Sequence, residues 1–437
     1  MFSFHNNPLD DTLYLSKKNM NNILWLVNIV FPEAKRLLGD ESGLKGTGGW
    51  LVASAEALAN EDLSLYVVST TTLVQELTFL KGKKCKYVLI PVTSNTNTCK
   101  SYLREIKNRL QPDVIHIHGT ELKLGIFWVE ECGTNKVVLS IQGVMAAIAK
   151  YHHKGVSNWD ILSNLTFHDL VRETVWGEQR FFESKSKDEK LLLSQLKYVI
   201  GRTSLDRAYS QAVNERIKYF HCDESLRQEF YHGCWSYSNC EKYTIFLSQA
   251  QAPLKGLHFL LQAMPIVLKL FPEAKIRIGG QNIVKNKTWQ EYIRLTGYGK
   301  YIRNLIKRLG IESKVQFLGL LSAEEIKDEM LRANVFVCPS TIENSPNSLA
   351  EAQMLGVPCI GSDVGGIPDY IPSEEYGELY RYDDEVMLAY KICKIFLKSN
   401  TFDNSNLIEF ARKRHDRNTN SKVTLSIYHD IIQSSND

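Results

Sequence analysis

The stretch CPSTIENSPNSLAE, residues 338–351, follows the apolar run 335–339 and opens an amphipathic helix. A strand that feeds directly into a helix puts the helix's free amides, and the positive end of its dipole, at the carboxyl edge of a sheet. Phosphate groups dock at such edges. Ser345, Asn347 and Ser348 supply cap-type side chains near the helix start, and Pro346 suits a first turn whose amide has no partner to lose. Glu343 stands just before the helix and Glu351 lies within it. One carboxylate can therefore reach past the phosphates while the other stays near a nucleoside. The spacing alone is weak evidence, since Glu33 and Glu41 share it; the strand, proline and helix around it carry the reading.

On both sides of this motif short apolar runs alternate with amphipathic stretches, the pattern of strand-helix-strand units in a parallel sheet. Two such series are predicted. The first has strands over 23–30, 64–69, 87–92, 114–118, 137–141 and 198–201. The second has strands over 244–247, 275–278, 315–318, 335–339 and 357–361, with helices that include 256–270 and 322–332. The aperiodic, aromatic and polar segment 215–241 reads as a linker between a first domain over 1–214 and a second over 242–414. Residues 151–190 interrupt the first series with Trp159, Phe167, Trp176, Phe181 and Phe182 among basic side chains. This insertion packs as a helical pair on the first domain, walls an acceptor site, or rests on a membrane.

Size agrees with two domains, because 437 residues exceed what one hydrophobic core usually supports. A hydrophobic share of 44% and a charged share of 23% are globular values, and a net charge of +3 gives no reason to expect nucleic acid as a partner. The early apolar run 23–31 is too short to span a bilayer and follows Asp10, Asp11, Lys17 and Lys18, so a cytoplasmic protein is expected, peripheral at the inner face of a membrane at most. Nine cysteines without a CxxC pair read as reduced, packed thiols. His221, Cys222, His232, Cys234 and Cys240 match no zinc spacing, so no metal is expected.

The second series resembles the nucleotide-binding domain of retaining glycosyltransferases of the GT-B fold (glycosyltransferase family 4, glycosyl transferases group 1). Its motifs are the 338–351 stretch, the strand and loop FLSQAQAPLKG ending at Gly256, IGGQN at 278–282 and GSDVGGIPDYI at 361–371. The resemblance implies an α/β chain of two doubly wound Rossmann-like domains facing across a cleft, with a closing helix from Ser421, within 415–437, returning to the first domain. It implies that Glu343 contacts donor-sugar hydroxyls, Glu351 the ribose, and the loop at Gly319 and Leu320 the base. Lys255 can place its ammonium on a diphosphate or stay solvated. Where the family has an arginine this chain has Ser248 and Gln249, so phosphate neutralisation falls to Lys255 and the helix at Asn347. Gly279, Gly280, Gly365 and Gly366 serve either close approach to a ligand or plain turns.

In the first series, Gly46, Gly48 and Gly49 before Trp50 resemble the family's glycine loop near the diphosphate. They are no dinucleotide fingerprint, because the third glycine of that pattern falls on Leu51. DVIHIHG at 113–119 places His118 at a strand end, near donor sugar and acceptor by resemblance, while His116 reads as a core histidine. Gln142 and Arg202 occupy equivalent edges and are acceptor-side candidates. The donor-binding positions are then Gly48, Gly49, Gln249, Gly280, Leu320, Ser345, Asn347, Ser348, Leu349 and Glu351, with His118, Lys255 and Glu343 catalytic.

The expected activity is transfer of a sugar from a UDP- or GDP-sugar, a substrate and not a cofactor, to a glycan or lipid-linked acceptor with retained anomeric configuration, in cell-surface polysaccharide synthesis. No DxD-like motif ends a strand, so no metal is expected to assist. The alternatives are a sugar-nucleotide epimerase or phosphorylase on the same fold, and a non-catalytic glycan- or nucleotide-binding protein.

Overall fold

The computed structural model describes residues 22–41, 49–59, 63–172, 174–285 and 288–435. Two α/β units form. The first sheet contains β1 (Asn22–Leu26), β2 (Ser64–Thr71), β3 (Thr78–Lys81), β4 (Lys86–Pro91), β5 (Val114–His118), β6 (Val137–Ser140), β7 (Tyr198–Gly201) and β8 (Lys218–His221). Their order is β3-β4-β2-β1-β5-β6-β7-β8, parallel throughout except for the antiparallel edge pair β3 and β4. The second sheet contains β9 (Thr244–Leu247), β10 (Lys275–Gly279), β11 (Val315–Gly319), β12 (Val335–Cys338), β13 (Cys359–Ser362) and β14 (Glu378–Tyr380), all parallel, in the order β11-β10-β9-β12-β13-β14. The central strands are buried along nearly all their length and mostly apolar, as expected of parallel strands covered on both faces.

Strand order reverses between β1 and β5 in the first sheet and between β9 and β12 in the second. Crevices at carboxyl strand ends open at such switch points. Two sequence expectations need correction. The stretch 215–241 is not simply a linker, because β8 within it is the last strand of the first sheet. The insertion does not pack on the first domain alone. Its long helix Val175–Gln195 lies against the helix Met145–Tyr151, but the short helices Asn158–Ser163 and Phe167–Val171 lean on the second domain. The final helix, Arg417–Gln433, packs on the helix Gly49–Leu58 and on β5 of the first domain.

That last contact organises a buried chain of hydrogen bonds. Trp25 Nε1 donates to the Tyr428 hydroxyl at 2.9 Å, and that hydroxyl lies 2.6 Å from His116 Nδ1, whose Nε2 is 2.6 Å from Ser140 Oγ. A neutral His116 donates from one ring nitrogen and accepts at the other, so it links Tyr428 and Ser140 in one chain. Burial, with Arg202 adding to it, pushes the His116 pKa down to about 3, in accord with a neutral ring.

Candidate functional site

A cleft between the two units encloses about 1580 Å³ including its open mouth. Loops after β9, β10, β11 and β12 line one wall and supply Gln249, Lys255, Gly280, Leu320, Glu343, Ser345, Asn347, Ser348 and Glu351; Gly49 and Trp50 of the first domain line the other. Most of the donor-site residues expected from sequence therefore meet in one place.

Two ion pairs stand on its floor. Lys255 Nζ donates to Glu343 Oε1 at 2.7 Å, and Ser340 Oγ donates to the same oxygen at 2.8 Å. Burial opposes the charge on Lys255, but Glu343 more than offsets it and the lysine pKa is raised. The second pair is bidentate. Arg227 Nε and Nη2 donate to the two oxygens of Glu351 at 2.7 and 2.6 Å. Burial pushes the Glu351 carboxyl up, and the guanidinium pulls against that shift. Arginine stays charged in proteins, and a carboxylate accepting its two-pronged bond is the ionised partner.

Local backbone explains why these groups converge. Gly256 has φ +68°, and a Cβ there would lie 1.8 Å from the Pro339 carbonyl oxygen, so only glycine lets the Lys255 turn lie flat on the strand end of β12. Gly365, at φ +57°, backs the Glu343 carbonyl with only 2.1 Å for an added Cβ, and the Gly366 amide donates to that carbonyl at 3.0 Å. This glycine pair therefore presses against the loop that carries Glu343.

The helix Asn347–Met354 begins at Pro346 and has no side-chain cap, contrary to the expected capping by Ser345, Asn347 or Ser348. Ser345 Oγ instead accepts from Arg202 at 3.2 Å, and the Asn347 side chain hydrogen-bonds Glu224. Asn347 and Ser348 line the cleft, so the uncapped start of the helix faces it.

Other expected residues lie elsewhere. His118 lines a smaller cavity behind Trp50, stacked on His116 at 3.8 Å between ring centroids and 4.3 Å from Trp25. Both its ring nitrogens are buried without a hydrogen-bond partner, and burial lowers its pKa well below the ordinary histidine value. Arg202 is buried in an ion pair with Glu224 and touches Gln142 Oε1 at 3.4 Å. Gln142 and Arg202 thus brace the domain interface outside the cleft, and Leu349 is fully buried in the second domain's core. Gly48 falls outside the described residues. The cysteines of the 222–240 cluster are separated, with Cys222 against Thr424 of the last helix and Cys240 in the second domain's core.

Arg227 was not singled out from sequence. It lies in the stretch read as linker, and its contact with Glu351 spans 124 residues of chain. Its stem passes under Gly49, where an added Cβ would come within 2.7 Å of it.

The domains are held together across the interface by a polar set. Thr203 Oγ1 donates to Asn344 Oδ1 at 2.7 Å, and Asn344 Nδ2 donates to Asp206 Oδ2 at 3.1 Å and to the Gln142 carbonyl at 3.3 Å. Asn344 is the residue after Glu343, so the interface and the loop that carries Glu343 are one segment.

With this geometry in view, comparison with known proteins is informative. Residues 237–414 match the family described as Glycosyl transferases group 1. An uncharacterised glycosyltransferase of Methanocaldococcus jannaschii is 30% identical over 137 residues, 31% of each chain. The N-acetyl-alpha-D-glucosaminyl L-malate synthase of Bacillus anthracis is 31% identical over 136 residues, 30% of this chain and 35% of that one. Alignment thus covers about a third of the length of these curated relatives. Among solved structures, sucrose-phosphate synthase of Thermosynechococcus elongatus aligns with 95% of this chain and 100% of its own at 17% identity, TM-score 0.69. Anabaena HepE, solved with UDP and glucose, aligns with 92% of this chain and 98% of its own at 15% identity, TM-score 0.63. The chain has the GT-B fold of two Rossmann-like domains, and residues 237–414, most of its second domain, are similar to the Glycosyl transferases group 1 family.

Proposed function

We propose that the protein transfers a sugar from a nucleotide-diphosphate-sugar to a glycan or lipid-linked acceptor, with retention at the anomeric carbon. The observation that carries this reading is the meeting of Lys255, Glu343, Arg227, Glu351 and an uncapped helix start in one cleft between domains. A donor's diphosphate would lie against the Asn347 and Ser348 amides with Lys255 and Arg227 as its cations. Arg227 then stands in for the arginine that Ser248 and Gln249 replace. Glu343 would hold sugar hydroxyls and Glu351 the ribose. HepE was solved with UDP-glucose as well as with UDP, and a UDP-sugar is the first donor class to test.

In the reaction, the acceptor oxygen bonds to the anomeric carbon as the bond from that carbon to the diphosphate breaks. Attack on the face of departure lets the leaving phosphate oxygen take the acceptor proton, so no protein nucleophile is needed. Negative charge grows on the leaving diphosphate, and fixed donors aimed at it are worth a few kcal/mol of barrier each. We assign that task to Lys255, Arg227 and the helix amides, without a divalent ion. His118, neutral and unpartnered behind Trp50, would reach the acceptor region only if the indole moved.

Incubation of the protein with UDP- and GDP-sugars tests the reading. Selective thermal stabilisation by one of them, with slow release of nucleotide diphosphate and free sugar, is the expected result. Interconversion of free sugar nucleotides without release would instead identify an epimerase.

A further inference from the structure

The insertion builds an exposed surface that the proposed reaction does not use. Its two short helices are tied to the second domain by polar contacts on their inner side. Asn304 Nδ2 donates to Asn164 Oδ1 at 2.8 Å, Lys300 Nζ to the Leu165 carbonyl at 3.1 Å, and the Gly297 amide to Asp169 Oδ1 at 3.1 Å. Asp160 and Asp169 are each locked in a capping box. The acids are thus occupied within the helices, and the apolar side chains point outward. Trp159 is 75% exposed and Leu170 78%, with Leu162, Phe167 and Val171 also exposed beside them. Positions 159 and 162, and 167, 170 and 171, follow helical spacing, so each helix presents one apolar face to solvent.

The second domain extends this surface. Its helix Trp289–Arg294 packs on Phe167–Val171, leaves Trp289 73% exposed and stacks Tyr292 against it at 6.0 Å. Scattered exposed apolar residues are ordinary, but so many of them gathered on helices that pack around one junction mark an interaction site. Charge indicates its partner. Among the described residues of 285–308, Lys285, Arg294, Lys307 and Arg308 are exposed against a single acid, Glu291, in a chain whose net charge is only +3, and Glu291 is itself used in a capping box. Exposed indoles beside a basic strip fit the boundary of an anionic bilayer, where amphipathic rings sit at headgroup depth and cations meet the lipid phosphates.

We propose that this platform, formed jointly by the insertion and the helix Trp289–Arg294, docks the protein on an anionic lipid surface. The platform is joined to the cleft, because the Tyr151 carbonyl accepts from Thr341 Oγ1 at 2.8 Å, two residues before Glu343. Docking would therefore hold the cleft at a fixed height over the bilayer. The proposal stands on the surface itself and does not need the donor assignment.

Co-sedimentation of the full chain with vesicles tests it, using phosphatidylcholine alone or mixed with about a third phosphatidylglycerol. At least tenfold stronger binding to the anionic vesicles is expected. The variant Trp159→Ser/Leu170→Ser/Trp289→Ser should lose at least tenfold, and Lys285→Glu/Arg294→Glu should lose the preference for anionic lipid. Thermal stabilisation by UDP- or GDP-sugars should be the same in both variants as in the parent, which keeps this test separate from that of the donor site. Parent protein left in the supernatant with both vesicle types, or serine variants binding as well as the parent, would overturn the proposal. So would gel filtration showing a dimer that the serine substitutions dissolve, without vesicle binding, since the platform would then be a contact between copies.

Discussion

Lys255 and Glu343 are 88 residues apart in sequence, yet the ammonium of one donates to the carboxylate of the other at 2.7 Å. They meet because β9 and β12, whose loops carry them, are neighbours at the point where strand order reverses. An ammonium and a carboxylate are thereby fixed side by side at neighbouring strand ends.

If both residues act on the donor, Lys255→Ala and Glu343→Ala should each lower turnover at least about a hundredfold. Circular dichroism and melting temperature should stay close to the parent's, because both side chains border the cleft and neither sits in an apolar core. Steady-state kinetics with the donor found by thermal shift gives the comparison. Normal turnover in either variant would remove that residue from the mechanism.

Arg227 has a structural task beside the one proposed for it on the donor. Its loss leaves Glu351, 3% exposed, without its counter-charge, and breaking a buried pair from one side costs about 3–5 kcal/mol. Part of the arginine is exposed, so Arg227→Met should fall at or below the lower end of that range. Arg227→Met/Glu351→Leu should recover much of the stability and none of the donor binding. Chemical denaturation and donor titration of the single and double variants measure both effects.

Gly365→Ala should act at a distance from any ligand. The new methyl group would meet the Glu343 carbonyl in a backbone conformation that disfavours alanine, so the Glu343 loop must shift. A fall in kcat larger than the rise in donor KM, with a stability loss of about 1–3 kcal/mol, is expected.

The buried histidines give stability a defined pH dependence. In the unfolded chain His116 titrates near the ordinary histidine value, but burial depresses its folded pKa to about 3. Below about pH 6.5 the unfolded state takes up a proton that the folded state refuses, so stability falls as pH drops from neutrality towards the folded pKa. His116 alone should cost about 2 kcal/mol at pH 5. His258 and His415, each lowered to about 4 by burial, act in the same direction. Urea denaturation of the parent and His116→Gln at pH 7 and pH 5 checks this, and the variant should show the shallower loss.

Much of this architecture was legible in the sequence because buried parallel strands are continuous apolar runs. What escaped lies at the margins. β3 and β8 are edge strands with half-exposed residues, TFLK and KYFH, and β14 has three residues, so none forms a buried run. The cleft followed from Glu343, Glu351 and Lys255, since a strand end feeding a helix start is a local pattern. Arg227 was hidden because its role rests on a contact across 124 residues, and nothing near it in the chain marks it. His118 shows the opposite limit. Its place at a strand end was correctly read, but whether it faces the cleft depends on Trp50, a residue of another loop.

The central claim is that a nucleotide diphosphate docks at the start of the helix Asn347–Met354, between Lys255 and Arg227. A crystal structure with a bound UDP- or GDP-sugar tests it most directly. Phosphate oxygens are expected within hydrogen-bond reach of the Asn347 and Ser348 amides, with Glu343 on the sugar and Glu351 on the ribose. A nucleotide found elsewhere, or in this cleft with its phosphates turned away from that helix, would contradict it.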